Sequence, residues 1–337
     1  MKILLIIQSC IIIPLLCTCS SNTYSVPDVS FYYWRTEFNL KDTEKKAINE
    51  YAVKKLYVRY FDIGIGADSV PYPIGKIKFS SKIPDVEIVP VVYIKNEVML
   101  NKRLDVRAIS DNILQLINAI NTNNTIDCSE IQIDCDWSLD SRDKFMIFID
   151  TLKVGWGKKL SATIRLHQIK FADVTQIPDV DYGTLMYYNM GKINAEPGNS
   201  IYDKDIADLY NYTIPNFRLP INVALPIFAW GVHVRNDRVI GLINKIVDED
   251  LNNEDKLSYI GGNFYLVKEN FLWKDKYLRR GDKIKYEKVN SKDLKLMAKD
   301  LSKFVKGGVN EIIFYDLDSL NLEHYEEGFL REIINNL

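Results

Sequence analysis

The sequence has few histidines and almost no net charge. It contains three histidines, and its 43 lysines and arginines nearly balance 45 aspartates and glutamates, so the formal net charge is −2. Nucleic-acid-binding domains usually show a basic patch or an excess of basic residues, and this balance gives no support for such a partner. No histidine has the spacing of a known metal motif. We therefore expect no metal ion and no cofactor.

Cysteine is scarce as well, and three of the five cysteines lie within the first 19 residues. Only Cys128 and Cys135 remain in the body of the chain. The seven residues of loop and strand between them would hold them roughly 20 Å apart if extended, which is far beyond the reach of a disulfide. We expect both thiols to be free and buried, with Cys135 in the core of a strand.

Long hydrophobic runs are missing except at the N-terminus. The run over residues 3–16 is interrupted by Gln8 and Ser9 and is too short for a good membrane span. With Lys2 before it and polar residues after it, the run is typical of a secretory signal. Its end, Leu16-Cys17-Thr18-Cys19, resembles the bacterial lipobox, Leu-x-x-Cys, which implies cleavage before Cys19 and lipid on that residue. The alternative is a plain cleaved signal with incidental cysteines.

The lipobox resemblance predicts how the chain is divided and where it is located. Residues 1–18 would be the signal peptide and residues 19–27 a short polar tether between the lipid and the folded domain. We expect a protein of the bacterial cell envelope that is anchored to a membrane through its N-terminal lipid. The outer membrane is favoured over the inner one, and the sequence does not decide which face of the membrane carries the domain.

After residue 27 the sequence alternates between strand-like and helix-like segments. Alternating βα units imply a parallel sheet, and eight of them predict a single (β/α)8 TIM barrel over residues 28–337. The departure from this alternation covers about 232–290, where we expect short strands or loops that form an excursion between strands seven and eight. The eight strand-like segments are 29–38, 56–64, 86–94, 130–137, 159–168, 183–191, 221–231 and 311–320.

The fourth strand-like segment, "EIQIDCDW", alternates between apolar and polar residues. Its apolar residues stand at the odd positions, and Gln132, Asp134 and Asp136 stand at the even ones. A period of two places the polar residues on one face of a strand. Two carboxylates on the same face raise each other's pKa, and bringing their charges together is unfavourable. The pattern therefore indicates a functional role for this face of the strand.

Polar side chains follow nearly every predicted strand, and not only the fourth. In a TIM barrel the chemistry lies at the C-terminal ends of the strands. The density of ionisable groups at these ends therefore favours a functional cleft over an ordinary solvated rim. The strand-end residues are Arg35, Glu37, Arg59, Asp62, Asp134, Asp136, Arg165, His167, Tyr188, Asn189, Trp230, His233, Asp316 and Asp318.

Four of these strand ends resemble those of the family-18 glycoside hydrolases, the chitinases and their relatives. "IDCDWS" resembles the signature of their fourth strand, and the later motifs "LMYYNMG", "ALPIFAWG" and "IIFYDLD" resemble those of the sixth, seventh and eighth strands in the same order. The combination looks closer still to a family of bacterial envelope lipoproteins with a domain of unknown function. The resemblance implies a glycosidase-type barrel whose partner is a glycan or another carbohydrate.

The chain departs from the family-18 pattern at the position of the general acid. Ser138 stands where the family has the glutamate that acts as general acid, and a hydroxyl cannot protonate a glycosidic oxygen as a carboxylic acid can. In its place we expect Asp136 to be the acid and Asp134 its orienting partner. Since glycoside hydrolysis usually needs two carboxylates, the second could be Glu37, Asp62, Asp316 or Asp318.

The resemblance also implies roles for the other strand-end residues. Tyr188 matches the tyrosine that steadies the acetamido group of the substrate, and Asn189 stands where the family commonly has aspartate. Trp230 and Tyr315 could form the floor on which a sugar ring stacks. The expected binding residues are completed by Arg35, Arg59, Arg165, His167 and Asp316.

The sequence leaves other interpretations open. Asp134 and Asp136 could form only a structural network with Arg165 or Arg59, and His167 together with the two aspartates gives weak support for a metal site. The barrel could act on a glycan, or it could be catalytically silent and bind a glycan or an envelope partner in the same cleft. An assembly factor would instead show an exposed apolar patch.

Overall fold

The computed structural model describes residues 26–337, and its centre is a closed barrel of eight parallel strands. Each strand pairs in parallel with the next, and the first strand pairs with both the second and the eighth. The predicted (β/α)8 barrel is therefore confirmed. The strands are Asp28–Tyr33 (β1), Lys55–Ile65 (β2), Glu87–Ile94 (β3), Glu130–Asp134 (β4), Lys159–Arg165 (β5), Tyr182–Met186 (β6), Ile221–Pro226 (β7) and Glu311–Tyr315 (β8).

The expected signal, the lipobox and Cys19 lie outside the described residues. Among residues 26–337, no helix is long and apolar enough to cross a membrane. Cys128 and Cys135 are both buried and unpaired within this part of the chain, as expected.

Helices pack around the outside of the barrel between its strands. Val106–Asn124 shows why such a helix forms, because Asp105 caps its start by accepting the N–H of Ala108 and an apolar stripe faces the strands. The helix ends at Thr125, which adopts the left-handed conformation. The helices are Asp42–Glu50, Asn96–Leu100, Val106–Asn124, Arg142–Trp156, Leu166–Lys170, Ala172–Thr175, Lys204–Asn211, Asp248–Leu251, Ser291–Phe304, Ser319–Leu322 and Phe329–Asn335, with a 3-10 turn at Ile214–Asn216.

Strand β4 shows the alternation that its sequence predicts. Ile131 and Ile133 are fully buried in the hydrophobic core. Gln132 points into the barrel, where its Oε1 accepts a hydrogen bond from the Tyr32 hydroxyl at 2.6 Å and its Nε2 donates to Thr184 Oγ1 at 3.0 Å. The even positions of this strand therefore belong to the barrel interior and, at the end of the strand, to its mouth.

The N-terminal end of the barrel is filled by a buried network around two glutamates. Lys55 donates to Glu130 at 3.0 Å, and Tyr57 donates to Glu311 at 3.0 Å. Tyr182 donates to Glu130 as well. Because both carboxylates are buried and fully occupied by donors, this end is closed, and the accessible polar groups lie at the opposite, C-terminal end.

The excursion between β7 and β8 is more regular than the sequence suggests. Five antiparallel strands form a second sheet, and a two-stranded hairpin, Phe271–Trp273 with Lys276–Leu278, accompanies them. The sheet has a small hydrophobic core of its own. Its strands, in spatial order, are Arg238–Asn244, Ala229–Arg235, Lys283–Lys288, Phe264–Val267 and Leu257–Gly261. We call residues 229–288 the insertion.

The predicted seventh strand, 221–231, is wrong in its extent, because it consists of two strands. The last barrel pair is Pro226 with Tyr315, and Ile227 then donates its N–H to the Tyr315 carbonyl at 2.8 Å. Phe228 turns its ring toward Tyr315, with the two ring centres 5.6 Å apart. The chain leaves the barrel at this point, and Ala229–Arg235 begins the insertion sheet.

Three short strands complete the structure near β2. Glu37–Phe38 pairs in parallel with Lys78–Phe79, and Pro71–Ile74 pairs antiparallel with the end of β2. Glu37 therefore lies in a strand of its own beyond the end of β1, on the rim of the barrel mouth.

Candidate functional site

Three adjoining cavities form one cleft at the C-terminal ends of the barrel strands. A cavity of about 790 Å³ lies over the ends of β1 to β5, one of about 330 Å³ lies between β4, β6, β8 and the insertion, and one of about 490 Å³ lies over β5 and β6. Arg165 lines all three, and Asp134 lines the first two. The cleft therefore lies where the barrel fold predicts a site.

The structure brings all but two of the predicted strand-end residues to this cleft. The exceptions are Asp318, a candidate for the second carboxylate, which pairs with Lys245 at 2.8 Å, and His233, which contacts Asp282 at 2.7 Å within the insertion sheet. The residues that line the cleft are Arg35, Glu37, Arg59, Asp62, Asp134, Asp136, Arg165, His167, Tyr188, Asn189, Trp230, Tyr315 and Asp316. Their location is thus as expected, while their roles stay predictions.

Two arginines at the mouth form bidentate ion pairs with aspartates. Arg59 donates to both oxygens of Asp62, at 2.7 and 2.6 Å, and Arg165 donates to both oxygens of Asp136, at 2.7 and 3.2 Å. The two parallel hydrogen bonds of a guanidinium–carboxylate pair fix the orientation of both side chains. Asp136 therefore forms the ion pair with Arg165 that the sequence left open, and whether it has a further role stays a prediction.

Asp134 does not take part in such a pair. It is 6% exposed and accepts a hydrogen bond from Thr163 Oγ1 at 2.7 Å. Among residues 26–337, no lysine or arginine forms an ion pair with it, so Asp134 does not form the pair with Arg165 or Arg59 that the sequence left open. Burial raises its pKa to about 6, with the Asp136 charge adding to the rise and Arg165 opposing it.

Asp316 is the second carboxyl in the cleft that is held by a neutral donor. Asn321 Nδ2 donates to it at 2.6 Å. Burial raises its pKa to about 7, and the charge of Asp318 adds to this rise. Asp318 itself is ion-paired with Lys245 at 2.8 Å. Burial acts to raise the pKa of Asp318, but the hydrogen bond from Lys245 holds that pKa below its usual value.

A chain of aromatic rings forms the floor and one wall of the cleft. The ring centre of Tyr315 lies 5.5 Å from that of Trp34 and 5.5 Å from that of Tyr188. Phe228 continues the chain to Trp230, with ring centres 5.1 Å apart. Trp34, Phe228 and Tyr315 keep part of their surface exposed, whereas Tyr188 and Trp230 are buried. Trp34 with Tyr315 is therefore an exposed part of the floor, and Phe228 adjoins it.

The insertion holds Trp230 in place and supplies a cation to the mouth. The Trp230 indole N–H donates to Glu287 at 2.8 Å, and Glu287 also pairs with the buried Lys285 at 2.7 Å. Lys245, from the same insertion, lines two of the three cavities. The insertion thus borders the mouth.

Sequence reasoning missed Trp34 and Lys245. Trp34 directly follows the last residue of β1, so its position among the strand ends was a signal that could have identified it. Lys245 comes from the insertion, far from any strand end of the barrel, and no sequence pattern indicated it.

The Ser138 position confirms the departure from the family-18 pattern. Its hydroxyl accepts a hydrogen bond from Asn96 Nδ2 at 3.2 Å, and its backbone N–H donates to Ser141 Oγ at 2.9 Å. Ser138 lines the cavity of about 490 Å³, so a hydroxyl occupies this part of the cleft wall. Two carboxyls stand two positions away along the chain: Asp136 is bound by Arg165, and Asp140 is exposed.

His167 lies in the short helix Leu166–Lys170 and is exposed. Within residues 26–337, no group of three or more histidine, cysteine, aspartate or glutamate side chains is arranged to hold a metal ion.

The comparisons with known proteins show the fold. No protein-family model and no curated protein sequence matches the chain. Among solved structures, a chitinase from Chromobacterium violaceum is 14% identical with a TM-score of 0.52, covering 92% of this chain and 98% of its own. A family-18 chitinase from Cycas revoluta, in complex with (GlcNAc)3, is 11% identical with a TM-score of 0.53, covering 91% and 98%. A chitinase-like agglutinin from Robinia pseudoacacia is 11% identical with a TM-score of 0.51, covering 90% and 98%.

These similarities define the class of barrel to which the structure corresponds. The chain has a TIM barrel of the type found in family-18 chitinases, and the structural match extends over nearly the whole length of each of these proteins. At identities of 11 to 14% the similarity establishes the architecture, and the chemistry must be argued from the cleft.

Proposed function

We propose that this protein binds a carbohydrate in the cleft at the mouth of its barrel, and that lipid on Cys19 holds the barrel at a membrane of the bacterial envelope. The observation that carries the binding proposal is the partly exposed aromatic floor of Trp34 and Tyr315 beside the ion pairs of Arg59 and Arg165. Ligand sites generally combine an apolar surface with a few fixed polar groups.

The chemistry of the cleft suits a sugar. A sugar ring has an apolar face, which packs on an aromatic ring, and an edge of hydroxyls, which needs donors and acceptors. In the described part of the chain, Arg165 Nη1 and Arg35 Nε are buried without a hydrogen-bond partner. Buried donors are normally satisfied, so a polar ligand at this site would supply the missing acceptors.

The structural neighbours support the same class of ligand. The Cycas revoluta chitinase is in complex with (GlcNAc)3, and the Robinia pseudoacacia protein of the same fold is a chitinase-like agglutinin. Glycan recognition and glycan hydrolysis therefore both occur among proteins with this architecture.

The structure does not favour the family-18 reaction in this chain. The Ser138 hydroxyl is far too weakly acidic to protonate a glycosidic oxygen as a carboxylic acid does, and both oxygens of Asp136 already accept hydrogen bonds from Arg165. Binding is accordingly the function that the geometry supports best. Hydrolysis by other residues is the second candidate, favoured by Asp134 and Asp316, which line the cleft and form no ion pair within residues 26–337.

A glycan screen tests the binding proposal. Residues 20–337, made without lipid, would be titrated with chitin oligosaccharides, soluble peptidoglycan fragments and host-type glycans. We expect one of these classes to bind and Trp34→Ala to weaken its binding by about tenfold or more, since aromatic anchors in a ligand site commonly contribute more than 1 kcal/mol.

Trp156→Ala is the matched control for this screen. Trp156 ends the helix Arg142–Trp156, which runs away from the mouth toward the other end of the barrel, so its removal should leave glycan affinity unchanged. A parent protein that binds none of the three classes of glycan would contradict the proposal.

A further inference from the structure

Apart from the exposed Glu37, the carboxylates around the barrel mouth fall into two groups. Asp62, Asp136 and Asp318 each pair with a lysine or arginine at 2.6 to 2.8 Å. Asp134 and Asp316 instead accept hydrogen bonds from a threonine hydroxyl and an asparagine amide, at 2.7 and 2.6 Å. Throughout residues 26–337, these two have no ion-pair partner.

Asp134 and Asp316 also share one cavity. Both line the cavity of about 330 Å³, together with the aromatic rings of Trp34 and Tyr315. Asp134 ends β4 and Asp316 directly follows β8, and these two strands lie four positions apart in the eight-stranded barrel. The two carboxyls therefore lie on opposite sides of the barrel mouth, with the aromatic floor in the same cavity.

We propose that Asp134 and Asp316 are a catalytic pair that hydrolyses a glycosidic bond of the glycan held in this cleft, with Asp316 as the general acid and Asp134 as the general base. The inference rests on the proposed carbohydrate binding and adds an activity to it. Glycoside hydrolysis with an acid on one side of the sugar and a base on the other is a general solution to this reaction.

The proposed reaction is balanced in atoms and charge. Asp316 transfers its proton to the glycosidic oxygen while the bond between that oxygen and the anomeric carbon breaks. A water molecule attacks the anomeric carbon from the opposite face and gives its proton to Asp134. The products are a free reducing sugar and the hydroxyl group of the leaving sugar, and exchange with solvent returns the proton from Asp134 to Asp316.

The electrostatics of the two sites agree with this division of roles. Burial raises the pKa of Asp316 to about 7 and that of Asp134 to about 6. A protonated Asp316 and an ionised Asp134 therefore coexist best between these two values. The pair needs no glutamate at position 138.

Other charged groups face each carboxyl from the neighbouring elements. Around Asp134, the positive charge of Arg165 opposes the rise in pKa, while the negative charges of Asp136 and Asp62 add to it. The charged groups that act on Asp316 are Asp318, Lys245, Arg35 and Glu44. Of these, Asp318 and Glu44 raise its pKa and the two cations lower it.

The experiment measures binding and hydrolysis on the same proteins. Residues 20–337 would be incubated with chitotetraose, soluble peptidoglycan fragments and host-type glycans, and both reducing-end release and affinity would be recorded. We expect release by the parent with a bell-shaped pH dependence centred near pH 6.5. Asp134→Asn and Asp316→Asn should each keep glycan affinity within a few-fold and lose about 100-fold or more of the rate.

We expect both variants to fold, because asparagine keeps an oxygen that accepts the hydrogen bond from Thr163 or Asn321. Retained glycan affinity would verify that each variant is folded. Asp140→Asn, an exposed position on the loop after β4, is the matched control and should leave the rate unchanged. A parent that binds a glycan without releasing reducing ends would overturn this inference and leave the binding function standing. Full activity in both variants would overturn it too, and failure to bind any glycan would overturn both proposals.

Discussion

Asp134 and Asp136 stand two residues apart, yet their surroundings differ. Asp134 is buried at the end of β4 and bonded to a threonine hydroxyl, whereas Asp136 lies beyond the strand, half exposed and bound at both oxygens by Arg165. The sequence predicts a raised pKa for one of two stacked carboxylates and favours Asp136 as the acid, whereas in the structure the raised pKa is that of Asp134. The largest cause is burial, and the repulsion expected from Asp136 comes after it.

The proton-donor role that the sequence assigns to Asp136 stays a prediction, but the geometry favours other carboxyls. Alternation along β4 places both side chains on the polar face, and it contains no information about which partner each will find. Arg165 ends β5, which pairs with β4, and only the folded barrel decides that its guanidinium reaches the second aspartate. Partner choice at a strand end therefore could not be read from the sequence.

The raised pKa of Asp134 predicts a change of stability with pH. A carboxyl whose pKa is about 6 when folded and about 3.9 when unfolded binds its proton more tightly in the folded state, so folding stability falls as the pH rises from about 4 to about 6. Asp134→Asn removes the charge that burial disfavours. We expect this variant to be more stable than the parent by about 1–3 kcal/mol at pH 8 and equally stable near pH 4, measured by urea unfolding.

Asp140→Asn serves as the control for this measurement, since its side chain is exposed and its stability difference should be near zero at both pH values. A variant at Asp134 that is less stable than the parent at pH 8 would mean that its carboxylate is held by a favourable charge partner, contrary to the observed hydrogen bonding.

At the scale of the elements, hydrophobic periodicity predicted most of the molecule. Strands β2 and β3 lie within one residue of the bounds predicted for them, 56–64 and 86–94, because each is an apolar run of strand length between polar residues. The predicted strand 221–231 failed, since continuous apolar sequence across 226–229 does not show where the chain leaves the barrel. The turn depends on Tyr315, which accepts the Ile227 N–H from 88 positions further along the chain.

The insertion shows a second limit of prediction at this scale. Its strands are short, and two of them are only three residues long, so alternation has too few residues to be diagnostic. Their pairing also joins distant segments, such as Ala229–Arg235 with Lys283–Lys288. The contribution of Lys245 to the cleft follows from the fold of the insertion and from nothing local in the sequence.

At the scale of the whole molecule, the barrel is closed at one end and open at the other. The network around Glu130 and Glu311 fills the N-terminal end, while the three adjoining cavities occupy the C-terminal end. The division follows the general behaviour of the fold, in which the lower face serves stability and the upper face serves function. The eight-fold βα alternation was sufficient to predict this organisation.

The proposed attachment to a membrane is tested on the whole molecule expressed in a bacterium. If Cys19 is the lipidated residue, the mature protein begins there and carries several acyl chains, which anchor stably where a single chain would bind only marginally. We expect mass spectrometry of the purified protein to find an acylated N-terminal cysteine, and Cys19→Ser to release the protein from membranes. An unmodified mature N-terminus beyond residue 19 would exclude the anchor.

The central claim is that the cleft at the barrel mouth holds a sugar, and a crystal structure of residues 20–337 with the tightest-binding glycan tests it most directly. We expect a sugar ring packed on Trp34 and Tyr315, with its hydroxyls bonded to Arg165 and with Asp134 and Asp316 on either side of it. A glycan bound elsewhere on the molecule, with the mouth of the barrel filled only by water, would contradict carbohydrate binding in the cleft.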